Sequence, residues 1–141
     1  MLNLKFALRT LVKQGHPQAL ALLGFASLPG LVVVGPRLAE TTVTVGGALP
    51  FDFTLENRDS VPVLVAIDYI IYHQKANGTL TPKVFKLTTK TLAPGETTTI
   101  ARKHSFKPIT TRTYHPGEHA LALQINGQTF GRTTFHLLVP S

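Results

Sequence analysis

Apolar residues follow two rhythms along this chain, and the change comes near residue 30. Before it, Leu4, Leu8, Leu11 and Val12 recur at helical spacing, with Lys5, Arg9 and Lys13 every four residues on another face. Gly15 suits a helix stop and Pro17 the first turn of a second helix, whose stripe is Leu20, Ala21, Leu23 and Phe25, with Gly24 near its end. Helices shorter than about 12 residues are unstable alone in water, so this pair must lean on something. The pattern predicts a helical pair over 1–28 and a separate β unit over 29–141.

From Leu31 the period is two. Leu49, Phe51, Phe53 and Leu55 point one way, and Asp52, Thr54 and Glu56 the other, as in a half-buried strand. Val63, Val65, Ile67, Tyr69 and Ile71 form the next inward set. The opposite face of that strand, Leu64, Ala66, Asp68, Ile70 and Tyr72, is unusually apolar. Phe85 and Leu87 point inward, with Lys86, Thr88 and Lys90 outward. The Pro-Gly turn at 93–96 leads to Thr97–Phe106, read as the partner strand, with a bulge expected because Arg102 and His104 share parity with Ile100 and Phe106. His119, Leu121, Leu123 and Ile125 alternate before Asn126-Gly127, the strongest hairpin signal in the chain. Gly131 marks a second bulge, since Phe130 and Phe135 are out of phase. About seven strands with these turns predict a mainly β protein, an antiparallel immunoglobulin-like sandwich preceded by the short helical pair.

Charge changes this picture. The net charge is +7, and it is concentrated: between Lys83 and Arg112 seven cations face Glu96 alone. Concentrated positive charge attracts polyanions. There are no cysteines, which excludes a disulfide scaffold and cysteine-ligated zinc and fits a reducing compartment. The longest apolar stretch, Ala19–Val34, is broken by Gly24, Pro29 and Gly30 and is too short to span a bilayer. Lys5, Arg9 and Lys13 ahead of that stretch have the order of a signal peptide, but Gln14, His16 and Gln18 are poor lead-ins and no clear cleavage site follows.

No catalytic set of specific form is present. Seven carboxylates are scattered, and only Asp68 sits among apolar residues, where a structural hydrogen bond is the expected role. His115 and His119 flank a Pro-Gly turn but are too few for a metal site, and His119 has core parity. The informative stretch is RKHSFKPITTRTYHPG, Arg102–Gly117, where cations, hydroxyls and aromatics alternate. Lys and Arg reach phosphates, hydroxyls add contacts, and an aromatic ring can lie on sugar or base. Parity suggests that Lys86, Lys90, Lys103 and Lys107 share one basic surface.

ALRTLVKQGHPQALALLGF resembles the last helical repeat of the bacterial DNA alkylation repair proteins, alkylpurine DNA glycosylases built from HEAT-like repeats. The β region, through KANGTLTPKVFKL, TLAPGETTTI, KHSFKPITTRTYHPG and INGQ, is similar to the immunoglobulin-like domain that follows the solenoid in the AlkC-type branch. The resemblance implies an accessory domain that is not itself an enzyme and needs no cofactor or metal. The base-excising residues would lie in helical repeats ahead of it on the same chain. Its expected role is weak, non-specific grip on double-stranded DNA in the cytoplasm, with no membrane partner. Charge and chemistry place that role on Lys83, Lys86, Lys103, Lys107, Thr110, Thr111, Arg112 and Tyr114. The second reading is a structural or protein-interaction module, exported or not, whose basic face is incidental.

Overall fold

Strand parity decides which side chains meet in the interior of this molecule. The computed structural model describes residues 29–140, so the expected helical pair lies outside the described residues. Eight strands follow in order: β1 (Leu31–Leu38), β2 (Thr42–Thr44), β3 (Ala48–Asn57), β4 (Val63–Gln74), β5 (Leu80–Leu92), β6 (Thr97–Ser105), β7 (Gly117–Ile125) and β8 (Gln128–Leu138). They build a three-stranded sheet, β1-β3-β6, and a five-stranded sheet, β2-β8-β7-β4-β5. Every pairing is antiparallel except the short parallel one of β2 with β8. The result is the expected immunoglobulin-like sandwich with one extra strand. At three residues, β2 is too short to show an alternation.

The inward sets of β3, β4 and β7 meet in one core with Phe106, Phe135 and Leu137. Phe53, Leu55, Val65, Ile67, Ile71, Leu121 and Leu123 are fully excluded from solvent. The Asn-Gly turn forms as expected, with positive φ at Asn126 (48°) and Gly127 (83°). Asn126 Oδ1 also accepts the Ala66 N–H at 2.7 Å, tying the turn to β4. Asn57, wholly buried where β3 ends, donates to the carbonyls of Val61, Leu92 and Ala93 at 2.9–3.2 Å and accepts the Asp59 N–H at 3.0 Å. One amide thereby holds the β3–β4 and β5–β6 connections together.

Three expectations about the middle of the chain change. First, β5 and β6 are not partners: β5 pairs with β4, and β6 pairs with β3 in the other sheet. The Pro-Gly turn between them carries the chain across the sandwich. Second, β6 has no bulge, and its register with β3 is unbroken from Ala48–Ser105 to Glu56–Thr97. Its parity conflict is resolved by burying His104 while Arg102, on an edge strand, stays exposed. Third, the register of β5 shifts where Ile67 faces Thr88 but Asp68 faces Lys86, leaving Leu87 as an extra residue. Lys90 then faces Val65, on the side opposite to Lys86, and lies 3.7 Å from Glu96. The bulge expected at Gly131 is present, between the Leu121–Thr133 and Leu123–Phe130 pairs.

Asp68 lies on the outer face of β4, 7% exposed, opposite Lys86. Its carboxyl makes no hydrogen bond among the described residues, contrary to the structural bond expected of it. Burial raises its pKa from 3.8 to about 6, against the pull of Lys86. The folded protein therefore holds a proton that the unfolded chain releases between about pH 4 and 6, and stability falls as pH rises through that window. The full shift corresponds to about 3 kcal/mol, of which solvent screening leaves roughly 1–2 kcal/mol. Asp68→Asn should be more stable than the parent by that amount at pH 7 and little changed near pH 4. Urea denaturation at the two pH values checks this, and equal gains at both would contradict it.

Candidate nucleic-acid interface

At one end of the sandwich, β4 finishes, β5 starts, and the chain leaves β6 through residues 106–116 before entering β7. The residues that converge there alternate between ring and cation because strand ends and a long loop meet at the rim of an aromatic core. Phe106 is fully buried, and its ring centroid lies 4.9 Å from His104, 5.5 Å from Tyr114 and 5.8 Å from Phe135. Its backbone bonds on both sides to Gly46 and Gly47, anchoring the start of the loop to the β2–β3 turn. Ile109 and Arg112 form an isolated bridge, so Thr110 and Thr111 are presented at the tip of a tight turn. Tyr114 donates its hydroxyl proton to the Lys107 carbonyl at 3.2 Å, closing the loop on itself.

Two openings flank this loop. A pocket of about 300 Å³ is lined by Lys83, Phe85, His104, Lys107, Arg112 and Tyr114, with His73 behind them. A wider cleft of about 600 Å³ on the other side is lined by Lys75, Asn77, Thr113 and His115, sharing His73 and Arg112. Lys83 has the interior parity of Ile71, but β5 is an edge strand and its ammonium emerges over the Phe85 ring, 5.4 Å from the centroid. Among the described residues the ion pairs are Arg37–Asp52, Arg58–Glu56 and Lys90–Glu96. None of them involves Lys75, Lys83, Lys107 or Arg112. The cations at this end have no carboxylate to neutralise them.

Three histidines stand inside the cationic rim, and burial lowers the pKa of each. His104 falls to about 4, with Arg112 and Lys83 adding repulsion. Its Nδ1 lies 2.8 Å from the Tyr69 hydroxyl, whose own pKa burial raises to about 12. The phenol therefore keeps its proton and donates it, leaving the His104 proton on Nε2. His119 is the satisfied core histidine expected of it: Nε2 donates to the His115 carbonyl at 2.9 Å, and Nδ1 accepts the Gln74 N–H at 3.4 Å. His73 falls to about 3, through burial first and then Arg112, His119, His104 and Lys83. It is 4% exposed, and neither ring nitrogen has a partner among the described residues.

The family model for the protein described as "Uncharacterised protein YhaZ, C-terminal Ig-like domain" matches residues 32–139. The chain belongs to this family. "Uncharacterized protein YhaZ" of Bacillus subtilis (strain 168) is 36% identical over 126 residues, covering 89% of this chain and 34% of its own length. Among solved structures, the alkylpurine DNA glycosylase AlkC of Pseudomonas fluorescens, bound to DNA containing an abasic site analog, superposes with a TM-score of 0.86 at 32% identity. That match covers 93% of this chain and 36% of the glycosylase. A β-glucosidase from Listeria innocua matches 82% of the chain with a TM-score of 0.65 at 13% identity, a likeness of fold alone. The chain thus spans about a third of the length of YhaZ and of the glycosylase.

In this YhaZ-type domain the residues singled out from sequence separate into groups. Lys83, Lys107, Arg112 and Tyr114 line the pocket together, with Thr110 and Thr111 at the loop tip beside them. Lys86 does not join them: it lies on the outer face of the five-stranded sheet, across from Asp68. Lys103 faces Pro50 on the outer face of the opposite sheet, along a groove it shares with Asp52. The single surface of Lys86, Lys90, Lys103 and Lys107 does not exist, because β5 and β6 belong to different sheets and the Leu87 bulge separates Lys86 from Lys90. Asp52 and Glu56 do share an outer face, where each holds an arginine, Arg37 at 2.5 Å and Arg58. Sequence reasoning missed Lys75 and His73. His73 carried a legible signal, since it continues the inward parity of Tyr69 and Ile71.

Proposed function

We propose that this domain is the non-catalytic DNA-gripping part of an AlkC-type alkylation repair protein, and that it holds the phosphate backbone with the loop end of the sandwich. Lys83, Lys107 and Arg112 supply charge, Lys75 extends it, and Thr110, Thr111 and Tyr114 supply hydroxyls and a ring. Lys86 and Lys103 stand on other faces and are outside the grip. The helical catalytic repeats would precede this domain on the parent chain, in the bacterial cytoplasm. The carrying observation is the cluster of cations at one rim without carboxylate partners, in a domain 32% identical to part of a glycosylase solved on DNA.

Binding of this kind is weak in sequence preference and steep in salt, because each neutralised phosphate releases counterions. The 141-residue chain should therefore bind duplex DNA at low salt. Lys107→Glu with Arg112→Glu should weaken it by about tenfold or more and reduce the log–log salt slope by about two. Lys103→Glu should change affinity by less than about threefold. Fluorescence anisotropy on a labelled duplex measures both. Equal losses in the two variants would move the interface to the three-stranded sheet, and no binding by the parent would favour the interaction-module reading. Release of alkylated bases by the pure chain would refute the non-catalytic assignment.

A further inference from the structure

The rim described above grips from outside, but the pocket behind it holds one feature that surface grip does not need. His73 is a buried imidazole with two unpartnered nitrogens, and buried polar groups in folded proteins are nearly always hydrogen-bonded. Leaving such a group unpaired costs stability, so its retention points to a partner that arrives from outside the fold. The neighbours do not supply one. His119 has both nitrogens engaged elsewhere, and His104 Nδ1 is taken by Tyr69. Phe106, Tyr114 and His119 present rings to His73, at centroid distances of 6.5, 6.3 and 6.0 Å.

The charge around it is of one sign. Arg112 and Lys83 face His73 from the loop and from β5, Lys107 lines the same pocket, and Lys75 lines the cleft on its other side. Among the described residues the other titratable groups facing it are His104, His119, His115 and Tyr114, and no carboxylate lines either opening. A neutral imidazole offers one N–H donor, and a guanidinium and two ammonium groups offer the rest of a donor set aimed at one volume. Arginine and lysine together bind phosphate, the first through its fork and the second as a point charge.

We propose that the pocket is a phosphate socket: one phosphate group seats against Arg112, Lys83 and Lys107 and accepts a hydrogen bond from His73, which is thereby supplied with its missing partner. The assignment rests on the DNA-gripping reading for the source of the phosphate, a backbone diester, but free phosphate has the same chemistry. Burial is the main reason His73 stays neutral, and Arg112 and Lys83 add repulsion that an anion in the socket would oppose. Seating is therefore coupled to proton uptake by His73, and affinity rises as pH falls.

Histidine-ring NMR on the full chain tests this without any variant. Inorganic phosphate is titrated against chloride of equal ionic strength between about pH 4 and 6, where it is a monoanion like a backbone diester. The His73 ring signals should shift saturably with phosphate and not with chloride, and its pKa should rise by more than about one unit. The exposed His136 should not follow. Arg112→Gln should weaken the phosphate response at least about fivefold. A duplex oligonucleotide that moves the same His73 signals identifies the backbone as the source. A response to inorganic phosphate with no DNA binding keeps the socket and removes the DNA-gripping reading. DNA binding with His73 unmoved by either probe overturns the socket and leaves that reading intact.

Discussion

Gly131→Ala is expected to destabilise the domain by more than about 3 kcal/mol, enough to unfold much of a marginal sandwich. Two effects combine at this position. Its φ of +64° is a conformation that costs an alanine about 1–2 kcal/mol. The methyl group would also stand 2.0 Å from the Gly35 carbonyl oxygen and 2.8 Å from Pro36 Cδ. The obstruction is backbone and a proline ring, so no side chain can swing away. The reason lies in the fold: Gly131 sits in the bulge where β8 of the five-stranded sheet comes against β1, an edge strand of the three-stranded sheet. Gly78 is the control. Its φ is +85°, but nothing stands within 4 Å of the added methyl, so Gly78→Ala carries the conformational part alone. Urea denaturation of the two variants separates strain from collision. A loss at Gly131 no larger than at Gly78 would show that β8 and β1 can part at little cost.

The bulge at Gly131 was legible because an inserted residue is the simplest way to put the strand on either side of a glycine out of phase. The inward sets of β3, β4 and β7 were legible because parity reports which face of a strand is buried. Parity does not report which sheet the strand joins. The turn at 93–96 has the chemistry of a hairpin, yet Asn57 binds the carbonyls of Leu92 and Ala93 and helps carry the chain to the opposite sheet. Every inference that rested on β5 and β6 as neighbours failed with that one pairing, including the shared surface of Lys86 and Lys103. The residues that do line one pocket, Lys83, Lys107, Arg112 and Tyr114, come mainly from one loop, where closeness in sequence already implied closeness in space. Parity pointed His73 inward with Tyr69 and Ile71, but a polar residue near the end of an apolar strand also looks like a solvated terminus. Its burial depends on Phe106 and the loop above it, which the strand's own pattern does not encode.

Phe106→Ala should cost about 3–5 kcal/mol, the range for emptying a buried aromatic position. Phe106 is among the largest fully buried side chains, and its ring is the common neighbour of His73, His104, Tyr114 and Phe135. Removing it leaves a cavity whose walls are strands of two hydrogen-bonded sheets, which can close only in part. The same residue links stability to the candidate site, because it is the last buried position before the loop carrying Lys107 and Arg112. Phe106→Leu keeps most of the volume and should recover more than half of the loss in denaturant midpoint. Its binding of duplex DNA should stay near the parent's if the loop is held by its own Tyr114–Lys107 bond, and should fall if the Phe106 ring sets the position of Tyr114. A loss below about 1.5 kcal/mol for the alanine variant would mean that the loop end is not part of the cooperative core. The cations would then be borne on a segment that opens on its own, and a fixed pocket around His73 could not be maintained.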